Sequence, residues 1–211
     1  SFNTALGGGA LSDNTTGQRN TAVGQGALTL NATGNFNTAV GQAALLANVD
    51  GGLNTAVGYS ALAANSSGVS NTATGGGALG ANTTGSNNAA LGRHALMTNT
   101  GGSENVALGV GALMANAGGN ENTAAGMFAM ASNSAGLRNT SLGRSALGSN
   151  ATGNDNIGIG YNGGGSLTTG SNNIAIGHPG NVGESATTRI GNAQTRAYIA
   201  GIRGVTPSVA D

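Results

Sequence analysis

The sequence predicts an all-β chain: a parallel β-solenoid, or β-roll, of eleven 17-residue coils that assembles as a homotrimeric fibre. Three observations carry this. Asn recurs at 3, 20, 37, 54, 71, 88, 105, 122, 139, 156 and 173. Gly stands four residues after each, from Gly7 to Gly177. No insertion interrupts the period across residues 3–185, and units copied without slip in length stack one on the next.

Composition alone points elsewhere. The 211 residues include 41 Gly and 28 Asn, with 7% charged and 3% aromatic, a balance that resembles disorder. Column counting overturns that impression, because 20 of the Asn and 21 of the Gly fall on fixed places of the repeat N-T-A-x-G-x-x-A-L-x-x-N-x-x-G-x-x. Two glycines in 17 residues argue against paired helices, since Gly costs about 1 kcal/mol in a helix interior. Two short extended runs separated by turns are predicted instead, N-T-A-x-G and then A-L-x-x-N. Coils about 4.8 Å apart give a rod on the order of 50 Å long.

Side chains of a strand alternate between faces. The second and fourth places of N-T-A-x-G exchange Thr4, Thr21, Thr38, Thr55 and Thr72 for Val106, Ile157 and Ile174, and Leu6 and Val23 for Ile159 and Ile176. That exchange predicts an inward face, joined by the Leu of the Ala-Leu pair. The third place is uniformly small: Ala5, Ala22, Ala39, Ala56, Ala73, Ala90, Ala107, Ala124 and Ser141. It is predicted to face outward, where three rods meet closely, because one thin coil encloses too little core to stand alone.

The glycine columns, Gly7, Gly24, Gly41 and Gly58 and then Gly17, Gly34 and Gly51, are predicted corners with positive φ. The asparagine columns, Asn3, Asn20, Asn37, Asn54, Asn71 and Asn88 with Asn14, Asn31, Asn48 and Asn65, are predicted hydrogen-bonded ladders. Glycosylation sequons such as Asn14-Thr15-Thr16 fall on these columns as a by-product of the repeat.

Variable places mark the outer surface. The pair after each leading Gly contains Tyr59, Arg93, His94, Met127, Phe128, Arg144 and Tyr161, a candidate ligand ridge whose alternative reading is a tolerant solvated rim. The residue before each leading Asn varies too: Arg19, Phe36, Leu53, Glu104, Glu121, Arg138, Asp155.

Chemistry is sparse. With no Cys, a disulfide framework and a Cys-based zinc site are excluded. His94 and His178 stand five coils apart, about 24 Å, too far to share a metal. Acids occur singly, seven Lys+Arg balance seven Asp+Glu, and no apolar run is long enough to span a bilayer. No enzyme, cofactor, nucleic-acid partner or membrane insertion is expected.

Asn-Thr-Ala-Val-Gly, and most closely Asn156-Ile157-Gly158-Ile159-Gly160 and Asn173-Ile174-Ala175-Ile176-Gly177, resembles the repeat of trimeric autotransporter adhesin heads. The resemblance implies a left-handed β-roll associated as a trimer, although the present unit is longer. Thr188-Arg189-Ile190-Gly191-Asn192 with Ala200-Gly201-Ile202-Arg203-Gly204-Val205 resembles the segment preceding the intramolecular chaperone of phage tail-fibre-type proteins. Residues 186–211 are therefore read as a cap or neck after the solenoid of residues 1–185. The chain begins in mid-pattern and is read as a fragment of something longer. The functional expectation is an extracellular fibre or adhesin segment, on a cell surface or phage-like fibre, binding itself and a host-surface glycan or protein. Two alternatives are an ice- or crystal-binding solenoid, if the Thr column faced water, and a purely structural shaft.

Overall fold

The computed structural model describes residues 2–196. Twelve three-residue strands run in chain order: β1 (Thr4–Leu6), β2 (Thr21–Val23), β3 (Thr38–Val40), β4 (Thr55–Val57), β5 (Thr72–Thr74), β6 (Ala89–Leu91), β7 (Val106–Leu108), β8 (Thr123–Ala125), β9 (Thr140–Leu142), β10 (Ile157–Ile159), β11 (Ile174–Ile176) and β12 (Thr188–Ile190). They form one parallel sheet, each strand pairing only with its sequence neighbours. From β1 to β11 the register advances by one repeat, Thr21 opposite Thr38 and Ala22 opposite Ala39. This is a parallel β-solenoid of about eleven coils. The sheet continues past residue 185 into β12, which joins β11 after a shorter coil, Ile174 opposite Thr188. The part of the expected cap beyond residue 196 lies outside the described residues.

One strand per coil is a correction. The second run, A-L-x-x-N, is a chain of turns: Ala27 N–H donates to Gly24 C=O and Asn31 N–H to Leu28 C=O. Coil-to-coil bonds still cross this wall, Leu28 N–H to Ala44 C=O and Leu30 N–H to Leu46 C=O, both 3.0 Å. The Leu of the Ala-Leu pair sits in the left-handed region, at φ 52 in Leu28 and φ 51 in Leu45. A non-glycine residue there costs roughly 1–2 kcal/mol. Burying the side chain, worth about 1.5–3 kcal/mol, offsets that cost, and Leu28, Leu45 and Leu62 are fully buried.

The facing of the strands is the reverse of the expectation. Ala22, Ala39, Ala56, Ala73, Ala90, Ala107, Ala124 and Ser141 point into the coil and are buried. Ala5, on β1, is exposed. Their smallness reflects a narrow interior: the Ala-Leu wall closes on the sheet, and its Leu fills the slot. The Ala column is therefore not an open face on which rods could meet. The second and fourth places point out, so Thr4 and Thr72 are exposed, as are Leu91 (51%) and Leu142 (53%). The Thr ladder is thus on the outer surface, not in the core.

Candidate functional site

Two structural devices hold the coil, and a third set of columns faces solvent. In the leading ladder, Asn37 Nδ2 donates to Gly51 C=O at 2.8 Å, and its Oδ1 accepts the backbone N–H of Asn54 at 3.0 Å. In the second ladder, Asn48 Nδ2 donates both to Asn31 Oδ1 (2.7 Å) and to Gly51 C=O (2.9 Å). Asn3, Asn20, Asn54, Asn71, Asn88, Asn14 and Asn65 make the corresponding bonds at their own rungs. Every buried side-chain nitrogen or oxygen among the described residues has a partner. Unpaired buried amides would cost about 1–3 kcal/mol each, so complete pairing is what lets so polar a core persist.

The two glycine columns answer different demands. Gly7 (φ 127), Gly24 (φ 134), Gly41 (φ 135) and Gly58 (φ 133) end their strands in a conformation reserved for Gly. Gly17, Gly34 and Gly51 have no positive φ, which corrects the expectation of a second corner. Their requirement is space: a Cβ on Gly34 would run into the Asn31 and Asn48 side chains and the Gly51 carbonyl. This column packs against the Asn ladder. The true left-handed corners include the variable residue before each leading Asn from Asn20 onward, among them Arg19 (φ 56), Phe36 (φ 58), Leu53 (φ 60) and Glu104 (φ 60).

The outer surface has three parallel strips. The central one is the sheet's outer face, uncharged from β1 to β11 and made of the second and fourth places. It is hollowed at coils five to seven into an apolar depression of about 380 Å³, where Thr74 and Ala89 lie beside Leu91, Val106 and Leu108. Two residues before each strand stands the corner column, and two after it the predicted ridge.

On the ridge, Tyr59 (64%), Tyr161 (75%), Met127 and Phe128 are exposed, as are Arg93 and Arg144, while His94 is half-buried. The two rings are seated by glycines one coil earlier: a Cβ on Gly111 would meet the Phe128 ring at 2.6 Å, and one on Gly77 the His94 ring at 2.9 Å. Arg144 lies 5.9 Å from the Tyr161 ring centroid. The corner column is also contiguous along the rod, Arg19 lying 5.1 Å from the Phe36 ring centroid. Higher up, Arg138 donates from Nε to Asp155 Oδ1 (2.8 Å) and from Nη2 to Oδ2 (2.9 Å). That hydrogen bond, with its charge, holds the Asp155 carboxyl below the usual carboxylate range and raises Arg138.

Beyond β10 the repeat changes. Leu167 is fully buried where earlier coils carry the second Asn. Glu184 accepts from Asn181 N–H (2.9 Å) and from Arg189 Nε (2.9 Å to Oε2). Desolvation raises the Glu184 pKa, but the backbone bond from Asn181 and the Arg189 side chain outweigh it and bring the carboxyl below its ordinary range. Sequence reasoning missed this clamp, whose partners are not repeated in any other coil.

Among the described residues, no group of three or more His, Cys, Asp or Glu could hold a metal ion, and no helix is long and apolar enough to cross a membrane. Comparison with protein-family models, curated proteins and solved structures finds no match to this chain.

Proposed function

We propose that the chain is a non-enzymatic segment of an extracellular fibre or adhesin, a rigid β-solenoid rod that associates as a homotrimer and spaces or presents a binding surface. The observation that carries this reading is the outer sheet face. It is an unbroken apolar and Thr strip running the length of the rod, with Leu6, Leu91, Leu108 and Leu142 well exposed. Contiguous apolar surface on that scale marks an interaction site. The association surface is thus this Thr and Val strip and not the Ala column. Exposed Tyr59, Met127, Phe128 and Tyr161 remain the best candidates for touching a host-surface glycan or protein. Sedimentation equilibrium at micromolar concentration tests the reading. A species of three times the 20.0 kDa chain is expected, and a monomer overturns it.

A second reading is favoured by one finding. Thr4, Thr21, Thr38, Thr55 and Thr72 do face outward, on rungs about 4.8 Å apart, so a Thr ladder could contact an ice or crystal lattice. The upper rungs, with Ala89, Val106, Ile157 and Ile174 at that place, break the hydroxyl column and favour self-association. Thermal hysteresis in a nanolitre osmometer, retained when the chain is monomeric, would reverse this preference.

A further inference from the structure

The two strips flanking the sheet face differ in sign over coils six to ten. On the ridge side stand Arg93 and Arg144 with His94, and no acid occurs anywhere in the two-residue ridge column. On the corner side stand Glu104 and Glu121, followed by the Arg138–Asp155 pair, which is internally neutralised. Arg93, Arg144, Glu104 and Glu121 take part in no ion pair among the described residues. The apolar strip between them carries no charge from β1 to β11. Over coils six to ten each rod therefore has a positive edge, an apolar middle and a net negative edge, while the corner side of coil two carries Arg19.

We propose that this polarity fixes how copies of the chain pack: all rods parallel, with the Arg93 and Arg144 edge of one copy against the Glu104 and Glu121 edge of the next. The inference rests on the self-association reading above and names its seam. The argument is one of symmetry. When sheet faces pack around an axis parallel to the rods, the edge after the strand of one copy meets the edge before the strand of its neighbour. Unlike edges then meet at every seam, and the contacts close into a ring. When rods pack antiparallel through a two-fold axis across the face, each edge meets its own kind. Arg93 and Arg144 then approach Arg93 and Arg144, and Glu104 and Glu121 approach themselves. Like charges juxtaposed at an interface select against that arrangement, while complementary edges set register. The parallel arrangement sends every C-terminus the same way, as a fibre requires.

Charge reversal tests the seam. R93E/R144E and E104R/E121R should each raise the concentration for half-assembly at least about tenfold in 50 mM salt, by sedimentation velocity, with the difference shrinking at 500 mM salt. The fourfold variant, with both edges exchanged, should recover assembly to within about threefold. Circular dichroism melts of the four proteins report that each rod is folded. Polarity is read separately: since the chain has no Cys, a dye on D13C reports proximity of the first coils. Parallel packing gives strong energy transfer between labelled copies, whereas antiparallel packing separates the dyes by about a rod's length. Equal assembly of all four proteins, or weak transfer in an assembled sample, overturns this proposal and leaves the homotrimer standing. A parent that is monomeric at micromolar concentration overturns both.

Discussion

Coils two to nine and the closing turns after β10 solve the same problem in opposite ways. Both must seal a narrow interior without leaving polar groups unpaired. The middle coils do it by copying: Asn donates to Asn one rung away and to a Gly carbonyl, so each coil completes the one beside it. The turns after β10 meet a shorter coil instead, whose β12 pairs with β11, Ile174 opposite Thr188. Leu167 replaces the second Asn, His178 and Pro179 C=O accept from Gly164 and Ser166 N–H, and Glu184 ties Asn181 to Arg189. A ladder is cheap to extend and cannot terminate itself. The clamp's partners occur once, where the spacing between paired strands falls from 17 residues to 14, Ile174 opposite Thr188.

The comparison is broken most severely inside the ladder. Asn65 Nδ2 donates to Asn48 Oδ1 (2.8 Å) and Gly68 C=O (3.0 Å), while its Oδ1 accepts from Asn82. Asn65→Asp turns two donated bonds into a carboxylate facing two oxygens. An uncompensated buried charge of this kind costs about 3–5 kcal/mol. Solenoids of this type do not unfold strictly as one unit, so the effect is read by amide exchange. Protection should fall in the coils around residue 65 at pH 7 and recover in part near pH 4, where protonation restores one donor. Unchanged protection would mean that the ladder is ornamental.

The next test separates the two faces of one strand. Ala56→Leu overfills the space against the Ala-Leu wall and should destabilise by about 1–3 kcal/mol. Its neighbour Thr55→Val, on the outer face, should change monomer stability by less than about 0.5 kcal/mol. Denaturant melts of both below the assembly concentration provide the check. Comparable losses would mean that the strand is not sided as described.

At the closing end, the depressed Glu184 carboxyl makes a pH prediction. A folded pKa below the unfolded one stabilises above the unfolded value, and the benefit is lost as pH falls through the folded value. Exchange protection of residues 178–190 should therefore weaken below about pH 4 while coils three to eight hold. Glu184→Gln should weaken the same turns by about 1 kcal/mol at pH 7 and flatten their pH dependence. Protection that falls equally in all coils would deny the clamp a local role.

The rod itself was legible in the sequence because its period was perfect: coil length, strand position and both Asn columns follow from spacing. The facing of the strand is legible too, though not from the Thr–Val exchange. Asn20 and Ala22 are two residues apart in extended chain and so share a face; an Asn committed to a buried ladder brings its Ala inward. Uniform smallness fits a partner's approach equally well, but here it records the nearness of Leu28 across the coil. The second extended run failed for another reason. Left-handed Leu is so rarely favoured that no propensity would propose it, and only the burial of Leu28 and its equivalents makes it pay. The Glu184 clamp was invisible because pattern reading needs repetition, and the clamp occurs once.

The smallest effect concerns those left-handed corners, and it should raise stability. Leu53 precedes a leading Asn at φ 60 and is 62% exposed, so unlike Leu28 it gains little from burial to offset its conformation. Asn tolerates this region because its short side chain bonds locally, and Asn87 and Asn172 occupy the same place in their own coils at φ 59 and φ 60. Leu53→Asn should stabilise by about 0.5–1 kcal/mol, while Leu45→Asn, at φ 51 but in the core, should destabilise by about 2–5 kcal/mol. Two leucines in nearly the same backbone conformation would then respond with opposite signs. That outcome, read from paired denaturant melts, would show burial and not backbone preference deciding where this solenoid tolerates strain; loss of stability in both would mean that Leu53 is held by a contact of its own.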